Sequence, residues 1–230
     1  MLTQNLVFTV ADKVAALGWN GLCFTISGLR NKETAPEFQQ LKTEALQKIA
    51  AGLTLEEIKA DPVLRGFQRL HDAIGHSNRE TVAAPQTLLQ VLLRTGRLPE
   101  INLVVDIYNL ISVETRLALG AHDVAKVPGC VAMRFCDGTE RFQPIGTTEA
   151  KKVRPGDYAY IDGANEVICW LEVRQGEKTK VSLETRDCFY IIQGNAATPR
   201  EYLISAMNRL ILLTKKYCGG TENIIYAPHF

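Results

Sequence analysis

The segment of this sequence that most constrains its fold is the apolar run INLVVDIYNLISV at residues 101–113. The run is apolar at nine of its 13 positions, which is too continuous for a helix with one face in water, and it is longer than a typical strand. It therefore predicts a buried helix. A buried helix requires other elements to cover it on all sides.

Two polar side chains, Asp106 and Asn109, interrupt this run. Their spacing puts them on one face of a helix, and we expect both to be buried and hydrogen-bonded. An unpaired buried amide alone costs roughly 1–3 kcal/mol. The pair either caps and orients the turn after the helix or shapes the floor of a pocket, and the residue types leave both roles open.

The first third of the chain is predicted to be helical after a short strand at residues 21–29. Thr34 with Glu37, and Thr54 with Glu57, have the spacing of capping boxes that begin helices. Helices are predicted in PEFQQLKTEALQKIAAG, in TLEEIKADPVLRGFQRLHDAIG with a break at Asp61-Pro62, and in PQTLLQVLLRTG, which ends at Gly96.

After Gly120 the sequence takes on the character of strands. Asp137-Gly138 and Asp162-Gly163 predict the turns of two hairpins, and KVSLETRDCFYIIQG predicts a further strand. A last helix is predicted at residues 198–218, with Thr198 as its cap.

Helices early in the chain and strands late predict an α+β fold. We expect a single domain over residues 1–230, because no linker divides the chain. The helices of the N-terminal part, residues 1–84, should pack around a mixed or antiparallel β-sheet, since neither part has a self-sufficient apolar set.

The composition excludes several classes of protein. The net charge of +1 is too small for a strongly basic nucleic-acid binder. No apolar stretch approaches the roughly 18 residues that span a membrane, and the N-terminus does not have the pattern of a secretory signal, so a cytoplasmic protein is expected. The six cysteines lack metal-ligand spacing and are predicted to be buried, reduced thiols. No metal and no cofactor is predicted.

Several polar residues in or near the predicted strands are candidates for a site. His122 and Asp123 follow the buried helix in a predicted loop, where functional residues often collect and where an imidazole would titrate near neutral pH. Arg134, Glu140 and Arg174 lie in or beside predicted strands, where each either contacts a substrate or forms a surface pair.

Two further histidines, His71 and His76, are five residues apart. This is not the spacing of two ligands on one helix face, so both are predicted to be surface or capping residues.

The segments LPEINLVVDIYNLISVETRLALGAHDVAKVPGCVAMRFCDGTERFQPIG and GDYAYIDGANEVICWLEVRQGEKTKVSLETRDCFYII resemble the B3/B4 domain of the phenylalanyl-tRNA synthetase beta subunit. The shared pattern is an apolar helix with V-D-x-x-N, a loop that ends in Asp, a strand with Arg134, an acidic residue before the next strand, and ETRD near the last strand. The resemblance covers roughly residues 85–195 and extends more loosely to residues 20–84.

In the synthetase this domain is the editing site, which hydrolyses the ester of tRNA wrongly charged with tyrosine. The resemblance implies an α+β unit that acts in trans as a deacylase of mischarged aminoacyl-tRNA. The alternative is a non-catalytic module that binds tRNA, another RNA or an amino acid. The chain has no phosphate-binding loop, so it is not expected to aminoacylate tRNA by itself.

The resemblance also implies a set of site residues. The family has a His at the position of Gly120, whereas this chain has Gly120 and carries His122 two residues later. His122 and Asp123 are the predicted catalytic pair, which would orient a water, and backbone N–H groups at Gly120 and Ala121 would face the developing oxyanion. The predicted substrate-binding residues are Asp106, Asn109, Gly120, Ala121, Arg134, Glu140, Arg174 and Thr185.

Any tRNA must be held by a local basic patch, since phosphate contacts dominate RNA affinity. The candidates for this patch are Arg94, Arg97, Lys151, Lys152, Arg154, Lys215 and Lys216. The same residues are also consistent with an ordinary solvated surface, which is the commoner role of such charges.

Overall fold

The structure, a computed structural model, describes residues 6–77 and 81–227. The helices in these residues are α1 (Asp12–Ala15), α2 (Pro36–Gly52), α3 (Leu55–Ala60), α4 (Pro62–Ala73), α5 (Ala84–Thr95), α6 (Leu103–Thr115) and α7 (Arg200–Cys218). The strands are β1 (Val7–Val10), β2 (Asn20–Ser27), β3 (Ala118–Asp123), β4 (Cys130–Phe135), β5 (Arg141–Phe142), β6 (Lys151–Lys152), β7 (Tyr158–Asp162), β8 (Val167–Trp170), β9 (Arg174–Gln175), β10 (Asp187–Gly194) and β11 (Thr221–Tyr226).

The strands form two main sheets and a small one. A five-stranded sheet has the order β1-β4-β7-β8-β9, and a four-stranded sheet has the order β11-β2-β10-β3. The pairing of β1 with β4 is parallel, and the other pairings in these two sheets are antiparallel. Strands β5 and β6 pair separately. Strands β3 and β9 are therefore each at the edge of a main sheet.

The four-stranded sheet lies between two apolar cores, because successive side chains of a strand point to opposite faces. Phe24 and Tyr190 stack on one face, with ring centroids 4.9 Å apart, and pack against the helices. Cys23, Phe189 and Ile191 lie on the other face and pack against the five-stranded sheet. This arrangement confirms a single α+β domain with mixed and antiparallel sheets.

Helix α6 is buried in the helical core, as the apolar run predicts. It begins at the cap residue Asn102, whose side chain accepts a hydrogen bond from the Val105 N–H at 3.2 Å. It ends at Arg116, which takes a left-handed conformation with φ of 64°. Helices α5 and α7 pack beside it, and β3 follows it directly.

The capping box of Thr54 and Glu57 is confirmed, because each side chain bonds the backbone N–H of the other. The box predicted for Thr34 and Glu37 is wrong, because α2 begins later, at Pro36. A proline in the first turn needs no N–H partner and has a φ already suited to a helix.

The predicted cap at Thr198 is also wrong. Helix α7 begins at Arg200, with Pro199 as the preceding cap residue. The Thr198 hydroxyl instead closes the turn before the helix, where it accepts a hydrogen bond from the Asn195 N–H at 2.8 Å.

Of the two predicted hairpins, the one at Asp162-Gly163 is confirmed, because it joins the antiparallel strands β7 and β8. The one at Asp137-Gly138 is wrong, since β4 pairs with β7 and not with the strand that follows it.

The N-terminal part of the chain contains a strand that the sequence did not predict. Residues 7–10 form β1, a strand too short to show a pattern of alternation.

The cysteines of this chain are not joined by disulfide bonds. All six cysteines are free thiols, and all but Cys130 are buried. Within the described part of the chain, no helix is both long and apolar enough to cross a membrane.

Candidate active site

A cavity of about 450 Å³ opens where the edges of the two main sheets meet the helices. Its walls come from α5 and α6 on one side and from β3 and β9, the two edge strands, on the other. The inner strands β7, β8 and β10 contribute its deeper part. Its size lies within the range of small-molecule sites in proteins, and most of its lining is apolar.

Residues 120–123 lie in strand β3 and not in the predicted loop. Because side chains alternate along a strand, Gly120 and His122 face the cavity. Ala121 belongs to the helical core on the opposite face. Asp123 accepts hydrogen bonds from the Ala125 N–H at 3.1 Å and from the Thr185 hydroxyl at 2.9 Å. The structure therefore brings two of these four residues to the cavity.

His122 is the buried imidazole of the cavity wall. Its Nδ1 lies 2.8 Å from the Thr179 hydroxyl, and its Nε2 has no hydrogen-bond partner among the described residues. Burial lowers the pKa of His122 to about 3, so the ring is neutral at physiological pH. A neutral imidazole with one unpaired nitrogen offers either a donor or an acceptor to a ligand.

Gly120 leaves room for a neighbouring side chain. A Cβ at this position would collide with the side-chain amide of Gln175. The space that a His would need at position 120 is therefore occupied by Gln175, which also lines the cavity.

Asp106 and Asn109 do not face the same surroundings, contrary to the prediction. The Asp106 carboxylate lies 3.1 Å from Lys42 Nζ and accepts a hydrogen bond from the Ile101 N–H at 3.0 Å. It is fully buried and satisfied at the start of α6, away from the cavity. Asn109 lines the cavity and is only half-buried, so the prediction of burial is wrong for this residue.

Arg134 and Glu140 form an ion pair at 2.5 Å. Glu140 is fully buried and also accepts hydrogen bonds from the backbone N–H groups of Asp137 and Gly138. The pair thus holds the turn after β4 and does not line the cavity. Arg174, by contrast, is exposed and lies on the cavity wall.

Four predicted site residues therefore lie at the cavity: Asn109, Gly120, His122 and Arg174. The other six make the contacts described above and lie elsewhere: Asp106, Ala121, Asp123, Arg134, Glu140 and Thr185. The part expected of each in catalysis or substrate binding remains a prediction.

The most polar part of the cavity was not predicted from the sequence. Glu172 lines it and is bonded to His71 Nε2, to the Tyr158 hydroxyl at 2.8 Å and to Gln193 Nε2 at 2.9 Å. Gln193 in turn accepts a hydrogen bond from the Tyr160 hydroxyl at 2.6 Å. This buried group, named here the Glu172 cluster, consists of His71, Tyr158, Tyr160, Glu172 and Gln193.

The prediction that His71 is a surface residue is wrong, since its side chain is 1% exposed. Burial by itself lowers the pKa of His71, but the Glu172 carboxylate opposes this and raises the pKa above its ordinary value. The helical spacing of His71 from Leu64 and Phe67, on the buried face of α4, was the signal for its position. His76 is half-buried and pairs with Asp157 at 2.7 Å.

The predicted basic residues lie on separate elements. Lys151 and Lys152 are exposed on β6. Arg154 bonds Asp157 at 3.0 Å, and Lys215 bonds Glu222 at 2.6 Å. Arg94 and Arg97 are exposed at the end of α5 and just after it, and Lys216 is exposed near the end of α7.

The structure is an α+β domain with a cavity between its sheets and helices, and the comparisons with known proteins identify its family. The sequence model of the B3/4 domain matches residues 69–219, about two thirds of the chain. The chain therefore belongs to the B3/4 domain family.

A solved structure supports the same fold. The crystal structure of an N-terminal fragment of the phenylalanyl-tRNA synthetase beta-subunit from Pyrococcus horikoshii is similar, with a TM-score of 0.53 and 14% sequence identity. The match covers 96% of this chain and 51% of the fragment, so the chain spans about half the length of that fragment. No curated protein sequence matches the chain.

Proposed function

We propose that this chain hydrolyses the ester of mischarged aminoacyl-tRNA in trans. The observation that carries the proposal is the cavity of about 450 Å³ with the unpaired Nε2 of His122 on its wall. The family to which the chain belongs includes a domain of the phenylalanyl-tRNA synthetase beta subunit, which makes aminoacyl-tRNA the substrate class of first choice. The largely apolar lining suits an amino-acid side chain.

In this proposal, His122 donates a hydrogen bond and does not act as a base. Since its pKa is lowered to about 3, its lone pair is too weakly basic to take a proton from water near neutral pH. The proposal assigns the Thr179 hydroxyl as the donor to Nδ1, and this tautomer leaves the Nε2–H to donate to the ester carbonyl. A fixed donor at this place stabilises the oxyanion that forms when water adds to the carbonyl carbon.

The reaction needs a positioned water and a cleaved ester bond. Asn109, half-buried on the cavity wall, has an amide able to orient the water. After the water adds, the bond to the ribose oxygen breaks and this oxygen takes up the proton that the water released. The products are the free amino acid and uncharged tRNA.

The experiment is a deacylation assay of the intact chain on a panel of correctly and wrongly charged tRNAs. Replacing His122 by Ala should lower the rate on the best substrate by about 10²-fold, the usual cost of losing one oxyanion donor. The matched control is His76→Gln, because His76 pairs with Asp157 outside the cavity lining. A panel with no hydrolysis at all would contradict the proposal.

A non-catalytic amino-acid-binding module is the second candidate. The observation that favours it is the state of Glu172, the carboxylate of the cavity, which already interacts with His71, Tyr158 and Gln193. It therefore has little capacity to act as a general base. Saturable binding of an aminoacyl ester that stays intact would select this candidate over the hydrolase.

The basic patch that would hold the tRNA is part of the same proposal. Lys151 and Lys152 are exposed and adjacent on β6, so they are the pair best placed to reach RNA phosphates. Replacing both by Glu should raise KM for charged tRNA, with little change in kcat, and should weaken the salt dependence of KM. A KM that does not change would remove these two residues from the RNA-binding surface.

A further inference from the structure

The hydrogen bonds of the tyrosines and of Gln193 in the Glu172 cluster run towards the carboxylate. The Trp19 indole only donates, and it does so to the Tyr160 oxygen at 3.2 Å. The Tyr160 hydroxyl therefore donates to Gln193 Oε1 at 2.6 Å, and Gln193 Nε2 donates to Glu172 Oε2 at 2.9 Å. The Tyr158 hydroxyl donates to the same oxygen at 2.8 Å. The chain of donors fixes Glu172 as the acceptor at its end.

His71 completes this arrangement as a buried cation. Its Nε2 bonds Glu172 Oε1, and its Nδ1 lies 3.3 Å from the Thr81 carbonyl oxygen. A carbonyl and a carboxylate only accept, so both ring nitrogens donate and the ring carries a proton on each. The pair with Glu172 is then a buried ion pair, held by hydrogen bonds on both sides.

Glu172 keeps capacity for one more donor. A carboxylate has about four acceptor sites, and here Oε2 receives two donors while Oε1 receives only His71. The side chain is 2% exposed, and Glu172 lines the cavity. The remaining site on Oε1 is thus the one that a ligand in the cavity could use.

The chemistry of this site selects the ligand group. Tyr108, Trp170 and Ile191 supply apolar surface in the cavity lining, and among the described residues of that lining Glu172 is the one acidic side chain. A primary ammonium is compact, carries three donors and forms a charge-assisted hydrogen bond with a carboxylate. An N-acyl group removes the charge and leaves a single neutral N–H donor, so the charge-assisted hydrogen bond is lost.

We propose that Glu172 binds the α-ammonium group of the substrate, so that the cavity accepts aminoacyl esters with a free amine and rejects their N-acylated forms. This inference rests on the proposed function, because it assumes that an aminoacyl ester occupies the cavity. It adds a specificity-determining residue, contributed by the segment between β8 and β9 and held in place by a histidine of α4.

The test uses a stable ligand pair and the intact chain. The ligands are an aminoacyl-adenosine analogue in which an amide replaces the ester, and its N-acetyl derivative, with affinities measured by calorimetry. We expect the free amine to bind at least about tenfold more tightly, as loss of one charge-assisted hydrogen bond implies. In Glu172→Gln, which keeps the size of the side chain, the two affinities should come within about threefold of each other.

A second measurement covers the case in which Glu172→Gln does not fold, which circular dichroism would reveal. The wild-type chain is then given a third analogue, with a hydroxyl in place of the amine. Binding weaker than that of the free amine, by at least about tenfold, supports the inference. Equal binding of the three analogues to the wild-type chain overturns it.

The failures of the two proposals are distinguishable. Equal hydrolysis of charged tRNA with and without an N-acetyl group overturns the role of Glu172 and leaves the hydrolase proposal standing. A clear preference for the free amine without hydrolysis supports the role of Glu172 and overturns the hydrolase. If none of the analogues binds and no charged tRNA is hydrolysed, both proposals are wrong.

Discussion

At the scale of single residues, two histidines of this chain have opposite electrostatic surroundings. His122 has burial as the sole cause of its lowered pKa, whereas His71 has the Glu172 carboxylate beside it and a raised pKa. The sequence predicted His122 as a candidate site residue from its place after the buried helix, and the structure puts it on the cavity wall. The helical spacing of His71 indicated a buried position, but it could not indicate the pairing with Glu172, which is distant in the sequence.

The surroundings of His122 predict how stability depends on pH. The unfolded chain binds a proton at this imidazole near pH 6.5, while the folded chain does so only near pH 3. Below pH 6.5 the unfolded state therefore binds more protons, and folding stability falls by about 1.4 kcal/mol for each pH unit down to pH 3. Above pH 6.5 this contribution is complete and does not change.

The measurement is urea denaturation of the wild-type chain and of His122→Gln at a series of pH values from 4 to 7. The variant has no imidazole to titrate, so below pH 6.5 the difference in stability between the two proteins should change with a slope approaching one proton, and above pH 6.5 it should level off. If the difference is constant over this range, His122 is not buried as the structure describes.

At the scale of elements, helix α6 shows what an apolar run does and does not determine. The run of residues 101–113 predicted the existence and the burial of this helix, because only a fully covered helix suits such a pattern. It did not predict that Asp106 pairs with Lys42, since that contact depends on how α2 packs against α6. The Asp106 side chain points back to the N-terminal end of α6, where it accepts a hydrogen bond from the Ile101 N–H, whereas Asn109 lines the cavity.

Strand β3 is a second element whose structure the local sequence did not reveal. His122 and Asp123 were predicted to lie in a loop because they fall between the buried helix and the later strands, but residues 118–123 pair with β10 along their whole length. The pairing partner lies far away in the sequence, so local residue types carried little information about it. Had the segment been predicted as a strand, alternation alone would have put Gly120 and His122 on one face.

The Lys42–Asp106 contact predicts a large effect on stability. The two side chains are 4% and 0% exposed, and removal of one partner leaves the other charge buried without compensation. Asp106→Ala should therefore lower the free energy of unfolding by about 3–5 kcal/mol. Urea denaturation measures this change.

Two comparison variants sharpen the result for Asp106. The double variant Lys42→Met with Asp106→Leu should recover most of the loss, because apolar groups of similar size replace the whole pair. Asn109→Ala should change stability by less than about 1 kcal/mol, as expected for a half-buried side chain without a buried charge. A double variant as unstable as Asp106→Ala would show that packing, and not the unpaired lysine, causes the loss.

At the scale of the whole molecule, the four-stranded sheet makes the two cores depend on each other. Strand β10 places Tyr190 in the helical core and both Phe189 and Ile191 in the core beside the five-stranded sheet. Detachment of β10 would therefore expose both cores to solvent at once. The sequence predicted one domain from its lack of a linker, and family resemblance predicted its class. The division into two sheets depends on long-range pairing that no local pattern showed.

The shared strand predicts that the chain unfolds in a single transition. Trp19 and Trp170 lie on the side of the five-stranded sheet, so tryptophan fluorescence follows that core, while far-UV circular dichroism follows the helices. In the wild-type chain the two signals should have the same midpoint in urea.

Two core variants extend this test. Leu210→Ala in the helical core and Met133→Ala in the other core should each lower the free energy of unfolding by about 2–5 kcal/mol. Each should lower both midpoints together. A variant that moves one midpoint and leaves the other in place would show two independent units.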